Sequence, residues 1–173
     1  MFKITYASLI AVVAISMGVG SRSYAGETDM LREANDRAEI QALMWRYVRA
    51  LDSLDEHAYA QAFTEDGQFG VGPNAEKGRP ALMKMITNLK KGRADREASG
   101  AAKTPPMYHV ITNAYIEFVD KDHARYHSYW MTVFGAAGKG TAPRVAAAGQ
   151  GVDDVVRING QWLIKLRNVA VQN

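Results

Sequence analysis

The sequence predicts an α+β fold, and three observations lead there. Apolar residues recur at helical spacing in the first half of the chain. The second half carries aromatic and β-branched runs that read as strands. The strongest hairpin signal, Asn159-Gly160, sits between two such runs near the C-terminus. Helices first and strands afterwards describe α+β rather than an alternating architecture. A curved, mostly antiparallel sheet wrapped around the first helix would enclose a cavity whose mouth two soft loops could cover.

The first residues read as an address rather than as fold. "MFKITYASLIAVVAISMGVGSRSYAG" has Lys3 in a short basic region, then an apolar run from about Ala7 to Val19. Ser23-Tyr24-Ala25 follows, a small-x-small site cut after Ala25 by signal peptidase. The run is short for a bilayer span, which disfavours the alternative of an uncleaved anchor. Residues 1–25 are therefore expected to be a signal peptide and 26–173 a single domain, long enough for a real core. The chain has no Cys, so disulfides and lipoprotein attachment are excluded, and a periplasmic or secreted location is expected. The formal charge of +3 shrinks as well. Lys3 and Arg22 leave with the leader, so the 21 basic residues become 19 against 18 acidic ones, a net of +1. That balance gives no support to a nucleic-acid partner.

Along the mature chain, Ile40, Leu43, Met44, Tyr47, Val48 and Leu51 form one face of a helix from Asp29 to about Leu51. Ser53-Leu54-Asp55-Glu56 reads as a capping box that opens a second, short helix through Ala62 or Phe63. "TEDGQFGVG" suggests a turn into a brief strand. Pro80 fits a first helical turn, and "ALMKMITNLKK" continues as a third helix. Residues 92–106 read as a polar loop bounded by Gly and Pro. "MYHVITNAYIEFV" and "HARYHSYWMTVF" are strands joined by "DKDH". The soft segment "GAAGKGTAPRVAAAG" delays the next strand, and "GVDDVVRI" and "QWLIKLRNVAV" flank the hairpin turn.

Several chemistries are absent from the motifs: no phosphate-cradling Gly loop, no GxSxG, no HExxH and no Cys nucleophile. The four His are at 57, 109, 123 and 127. His123 and His127 would stand about 13 Å apart along a strand, too far to share a metal, so no metal site is expected. His109 falls early in an apolar strand, and period-two counting puts it on one face with Ile111, Asn113 and Tyr115. An imidazole there is either a satisfied core histidine or half of a catalytic pair. Asp52 poses the matching question. An acid at a helix C-terminus opposes the macrodipole, so helix stability does not explain it. Capping the next helix is the bland alternative, although Ser53 already offers that. Tyr47, on the apolar stripe, reads as a core tyrosine with a hydrogen-bonded hydroxyl.

The runs "DRAEIQALMWRYVRALDSLDEHAYAQAFTEDGQF", "YHVITNAYIEF" and "GVDDVVRINGQWLIKLRNV" together resemble the SnoaL-like branch of the NTF2-like superfamily. Scytalone dehydratase, the hexachlorocyclohexane dehydrochlorinases and bile-acid 7α-dehydratase are the chemical relatives. The resemblance implies a cone-shaped α+β barrel and a cofactor-free elimination. In those relatives an Asp ending the first helix pairs with a His on the strand after the helices, and these positions carry over to Asp52 and His109. Tyr47 matches the tyrosine of the bile-acid enzyme. The tyrosine that scytalone dehydratase has just before its Asp is Leu51 here. Its second tyrosine falls at about Phe69, its second catalytic His at about Phe134, and its third-strand Asn near Gly151. The base pair survives and the carbonyl-polarising set does not.

The implied mechanism has Asp52 accepting a hydrogen bond from one ring nitrogen of His109, fixing the tautomer and favouring the imidazolium. The other nitrogen removes a proton from carbon as a base tuned near neutral pH. Tyr47 hydrogen-bonds a leaving group or carbonyl, and Phe69, Trp130, Thr132 and Phe134 line an apolar cavity for a cyclic or aromatic substrate. No cofactor is required. An isomerase or epoxide hydrolase in the same cavity, or a non-catalytic binding protein, are the other readings, because fold alone does not settle function. The relatives also imply a homo-oligomer, trimer or dimer.

Overall fold

A computed structural model describes residues 21–170. These divide into two compact units, one up to Asn35 and one from Asp36 onward. The first unit is helical and solvated: Arg32 pairs with Asp29 at 3.3 Å, and Met30 and Leu31 are exposed. Most of the expected leader lies outside the described residues. No helix among the described residues is long and apolar enough to cross a membrane.

Helix α1 runs Ser21–Ser53, α2 Glu56–Gln61 and α3 Arg79–Ala98. The strands are β1 Phe63–Phe69, β2 Glu76–Lys77, β3 Met107–Phe118, β4 His123–Phe134, β5 Arg144–Ile158 and β6 Gln161–Asn168. They form one six-stranded sheet in the order β2-β1-β6-β5-β4-β3. Every pairing is antiparallel except β1 with β6. The expected α+β class therefore holds, with a curved sheet that stays open at β2 and β3 rather than closing into a barrel.

The predicted helical stripe is the core. Ile40, Leu43, Met44, Tyr47, Val48 and Leu51 are all buried, and they pack with Tyr59, Phe63, Leu82, Ile86, Tyr126, Trp162 and Ile164. Polar contacts fix the helix to the sheet at both flanks. Asp36, almost fully buried, accepts from Arg157 Nη2 at 2.7 Å and from Trp162 Nε1 at 3.3 Å. Arg37 donates to the Ile116 carbonyl at 2.9 Å. A buried carboxylate is tolerable because both its oxygens are bonded.

The local expectations needed four corrections. Asp55, not Ser53, caps α2, accepting from the Ala58 amide at 3.0 Å, while Ser53 donates back to the Arg49 carbonyl at 2.8 Å. Leu54, at φ 55°, ends α1 between them. The third helix continues through "GRADREA" to Ala98, because its residues are good helix formers and Lys91 and Asp95 pair at 2.6 Å one turn apart. It stops where Gly100, at φ 87°, turns the chain. The alanine run from 145 belongs to β5, not to a soft loop.

The fourth correction concerns period-two counting in β3. Asn113 adopts φ 51°, and the register with β4 shifts between Thr112 and Tyr115. This bulge swaps the face. Met107, His109 and Ile111 pair with Phe134, Thr132 and Trp130 before it, and Ile116 and Phe118 with Tyr126 and Ala124 after it. Directly paired residues share a face of the sheet, so odd residues point inward before the bulge and even ones after. Tyr115 consequently faces outward and is exposed, rather than joining His109.

Candidate functional site

Asp52 occupies the last turn of α1, where its charge opposes the helix dipole and gains nothing from its own helix. Its partner comes from β3. His109 Nδ1 lies 2.7 Å from Asp52 Oδ1, and the His109 backbone N–H donates to the same carboxylate at 3.0 and 3.3 Å. One carboxylate thus grips both the ring and the backbone of one residue. An ionised carboxylate only accepts hydrogen bonds, so Nδ1 carries a proton, and in the neutral ring it is Nε2 that has the lone pair. Both side chains are just over four-fifths buried, with exposures of 18% and 19%. The capping alternative for Asp52 does not apply, since Asp55 fills that position.

Two clefts flank the pair. One, of about 570 Å³, is lined by Asp52 together with Arg49, Arg93, Lys103, Met107 and Tyr108. The other, of about 330 Å³, lies against His109 between α1 and β3, with Met44, Val48, Ile111 and Tyr126 supplying apolar walls. The pair is therefore bordered by a charged opening on the Asp52 side and an apolar one on the His109 side.

The remaining expected site residues divide into two groups. Thr132 is the register partner of His109, and Trp130 and Phe134 stand two residues to either side on the same face of β4. Trp130 is held across β5, its Nε1 donating to the Gln150 and Val169 carbonyls at 3.2 Å each. Phe134 lies under the Arg144 guanidinium at 4.9 Å. Phe69 lies away from them on β1, opposite Arg167. None of these four lines either cleft beside the pair.

Tyr47 packs in the core and lines neither cleft. It is 3% exposed, its ring 5.3 Å from that of Tyr59 and 5.9 Å from that of Phe63. The Arg167 guanidinium lies 4.9 Å over its ring, and Arg167 is ion-paired with the fully buried Asp153. Burial, only partly offset by Arg167, pushes the Asp153 carboxyl up to about 6. Burial acts to lower Arg167, but Tyr47 and Asp153 outweigh it and hold the guanidinium above its ordinary range. Burial and Tyr47 likewise hold the Tyr59 phenol well above the usual tyrosine value. The carboxyl is the soft partner of this pair, because desolvation of a fully buried anion exceeds what one counter-charge returns.

Sequence reasoning missed this second polar group. Counting back from the Asn159-Gly160 turn would place Asp153 opposite Leu166. A register shift between Asp154 and Val155 moves it opposite Arg167 instead. It also missed Arg93, which fell in the segment read as loop. His123 and His127 each pair with a surface carboxylate of their own, Asp120 and Glu117.

The profile of the SnoaL-like domain family matches residues 32–168. The chain belongs to the SnoaL-like family. Its solved relatives agree with that membership of the NTF2-like superfamily. A Novosphingobium aromaticivorans protein named as a candidate scytalone dehydratase is 25% identical at a TM-score of 0.61, covering 80% of this chain and 85% of its own. A point variant of Rv3472, a Mycobacterium tuberculosis protein of unknown function, is 26% identical at 0.62, over 80% and 77%. LinA, at 21% identity and a TM-score of 0.64 over 83% and 90%, shares the fold of this SnoaL-like chain. No curated protein matches.

Proposed function

We propose that this SnoaL-like protein is a cofactor-independent lyase. It would eliminate a leaving group from a small cyclic substrate, with His109 as base and Asp52 as its orienting partner. The observation that carries the reading is the double grip of one carboxylate on His109, at Nδ1 and at the backbone N–H. A packing histidine needs no such fixation, whereas a base that must present Nε2 to a carbon-bound proton does. In the step itself, Nε2 takes the proton, the C–H pair becomes the new π bond, and the leaving group departs from the adjacent carbon with its bonding electrons. Asp52 stabilises the imidazolium that forms.

The proposal extends to setting and assembly. The leader and the absence of Cys support a periplasmic or secreted protein. The outer face of β3, β4 and β5 exposes Tyr108, Val110, Tyr129 and Val145, which supports a homo-oligomer built on that face.

The deciding experiment is long-range ¹⁵N NMR of the His109 ring in wild type and Asp52→Asn, followed by mass spectrometry of substituted cyclic substrates. A single Nδ1–H tautomer that becomes mixed in the variant, together with products lighter by the leaving group, is the expected result. An unchanged tautomer sinks the base assignment. Products of unchanged mass make the protein an isomerase.

A further inference from the structure

We propose that the substrate carries a carboxylate, and that Arg93 receives it at the mouth of the site. This rests on the reading of Asp52 and His109 as the reacting pair and names what their substrate must bear. The argument begins with an imbalance. The cleft over Asp52 is lined by three cations, Arg49, Arg93 and Lys103, against one carboxylate. That carboxylate is already occupied by the ring and amide of His109. Glu97, the other acid acting on Arg93, accepts from the Thr104 amide at 3.0 Å. Among the described residues, no carboxylate lies within ion-pairing distance of Arg49, Arg93 or Lys103.

Arg93 is the residue most in need of a partner. Its Nη2 donates to the Met107 sulfur at 3.1 Å, a weak acceptor for a guanidinium. Burial lowers its affinity for the proton, as does neighbouring Arg96, while Asp52 and Glu97 restore only part. A partly desolvated guanidinium with donors to spare is built to take a planar oxyanion in bidentate fashion. Arg49, whose guanidinium lies 5.7 Å from the Trp45 ring centre, and Lys103 on the loop after α3 add a positive field that steers such a group inward.

The position also suits the chemistry. Met107, under Arg93, and His109 are two residues apart on one face of β3. That spacing is about 7 Å. An acid group anchored at Arg93 therefore leaves the carbons of a six-membered ring in front of the imidazole. The apolar cleft beyond, walled by Met44, Val48 and Ile111, takes the rest of the ring.

The test needs no turnover. Binding to the full protein is read from the His109 ring resonances with matched probes: benzoate against benzamide, and cyclohexanecarboxylate against its carboxamide. Each is titrated into wild type, Arg93→Gln and Arg93→Lys. The expected result is at least about tenfold tighter binding of each acid than of its amide. That preference should fall to within about threefold in Arg93→Gln, be partly kept in Arg93→Lys, and weaken with salt. Amide affinities should not move among the variants, which reports that the fold is intact. No preference for the acids, including no binding of any probe, overturns the proposal, as does a preference that survives Arg93→Gln. The Asp52→Asn tautomer measurement separates the two readings. A controlled tautomer without acid preference removes the anion site alone, and acid preference without tautomer control removes the base alone.

Discussion

Gly149 lies directly beneath the Trp130 indole: a Cβ at that position would stand 2.8 Å from Cζ2 and 3.2 Å from Nε1. The ring cannot retreat cheaply, since its N–H is committed to two carbonyls, those of Gln150 and Val169. Gly149→Ala is therefore expected to destabilise the protein by about 1–3 kcal/mol, the usual cost of overpacking. Urea unfolding followed by circular dichroism reads it. A variant as stable as wild type would show that the indole moves freely.

Asp52→Asn removes the charge that faces the imidazolium and frees the ring to adopt either tautomer. The expected loss in kcat is at least about 10²-fold, the range associated with a positioned base. Stability should fall by only about 1–2 kcal/mol, because the amide oxygen still accepts from the His109 N–H. Parallel kinetics and thermal unfolding separate the two effects. A collapse in stability with proportional loss of activity would make Asp52 a structural residue.

The Asp153–Arg167 pair predicts a pH dependence of unusual sign. The Asp153 carboxyl is raised to about 6 in the folded protein and returns to about 3.9 when unfolded. Between those values the folded state holds a proton that the unfolded state has lost. Stability from this group is therefore greatest below about pH 4 and is lost as pH rises through 6, by at most about 3 kcal/mol. Unfolding free energies of wild type and Asp153→Asn, compared from pH 7.5 to 4.5, read it. The stability of wild type minus that of the variant should increase as pH falls; a difference that decreases contradicts the raised carboxyl.

Asn113 predicts a backbone effect. At φ 51° it occupies the left-handed region, which glycine and asparagine tolerate and β-branched residues do not. Asn113→Val should cost about 1–2 kcal/mol, whereas Asn113→Gly should stay within about 1 kcal/mol of wild type. Chemical denaturation of both variants checks it. Equal losses would mean that the asparagine side chain, not its backbone, matters.

What was legible in the sequence follows from range. The apolar stripe of α1 and the Asn159-Gly160 turn are local patterns, and both hold, with Asn159 and Gly160 at φ 52° and 78°. Asp52 could be singled out because it contradicts its own helix, and His109 because it interrupts an apolar strand. The bulges were not legible. Nothing in "VITNAY" separates a bulged Asn113 from an ordinary polar position, and the shift beside Asp154 hid the partner of Asp153. Arg93 was lost for a different reason. A helix with few apolar residues reads as loop, although α3 buries Leu82 and Ile86 only in its first half and is carried onward by propensity and an ion pair.

The carboxylate that orients the ring also closes a gap in the sheet. β3 is the last strand, so backbone amides on its outer side have no neighbouring strand among the described residues. The His109 amide is one of them, and Asp52 takes it. Deuterium uptake along this strand should thus be interrupted by one slow-exchanging proton, set by how often α1 lifts away from the edge. Its exchange rate reports how long the base and its partner stay assembled, before any substrate is known.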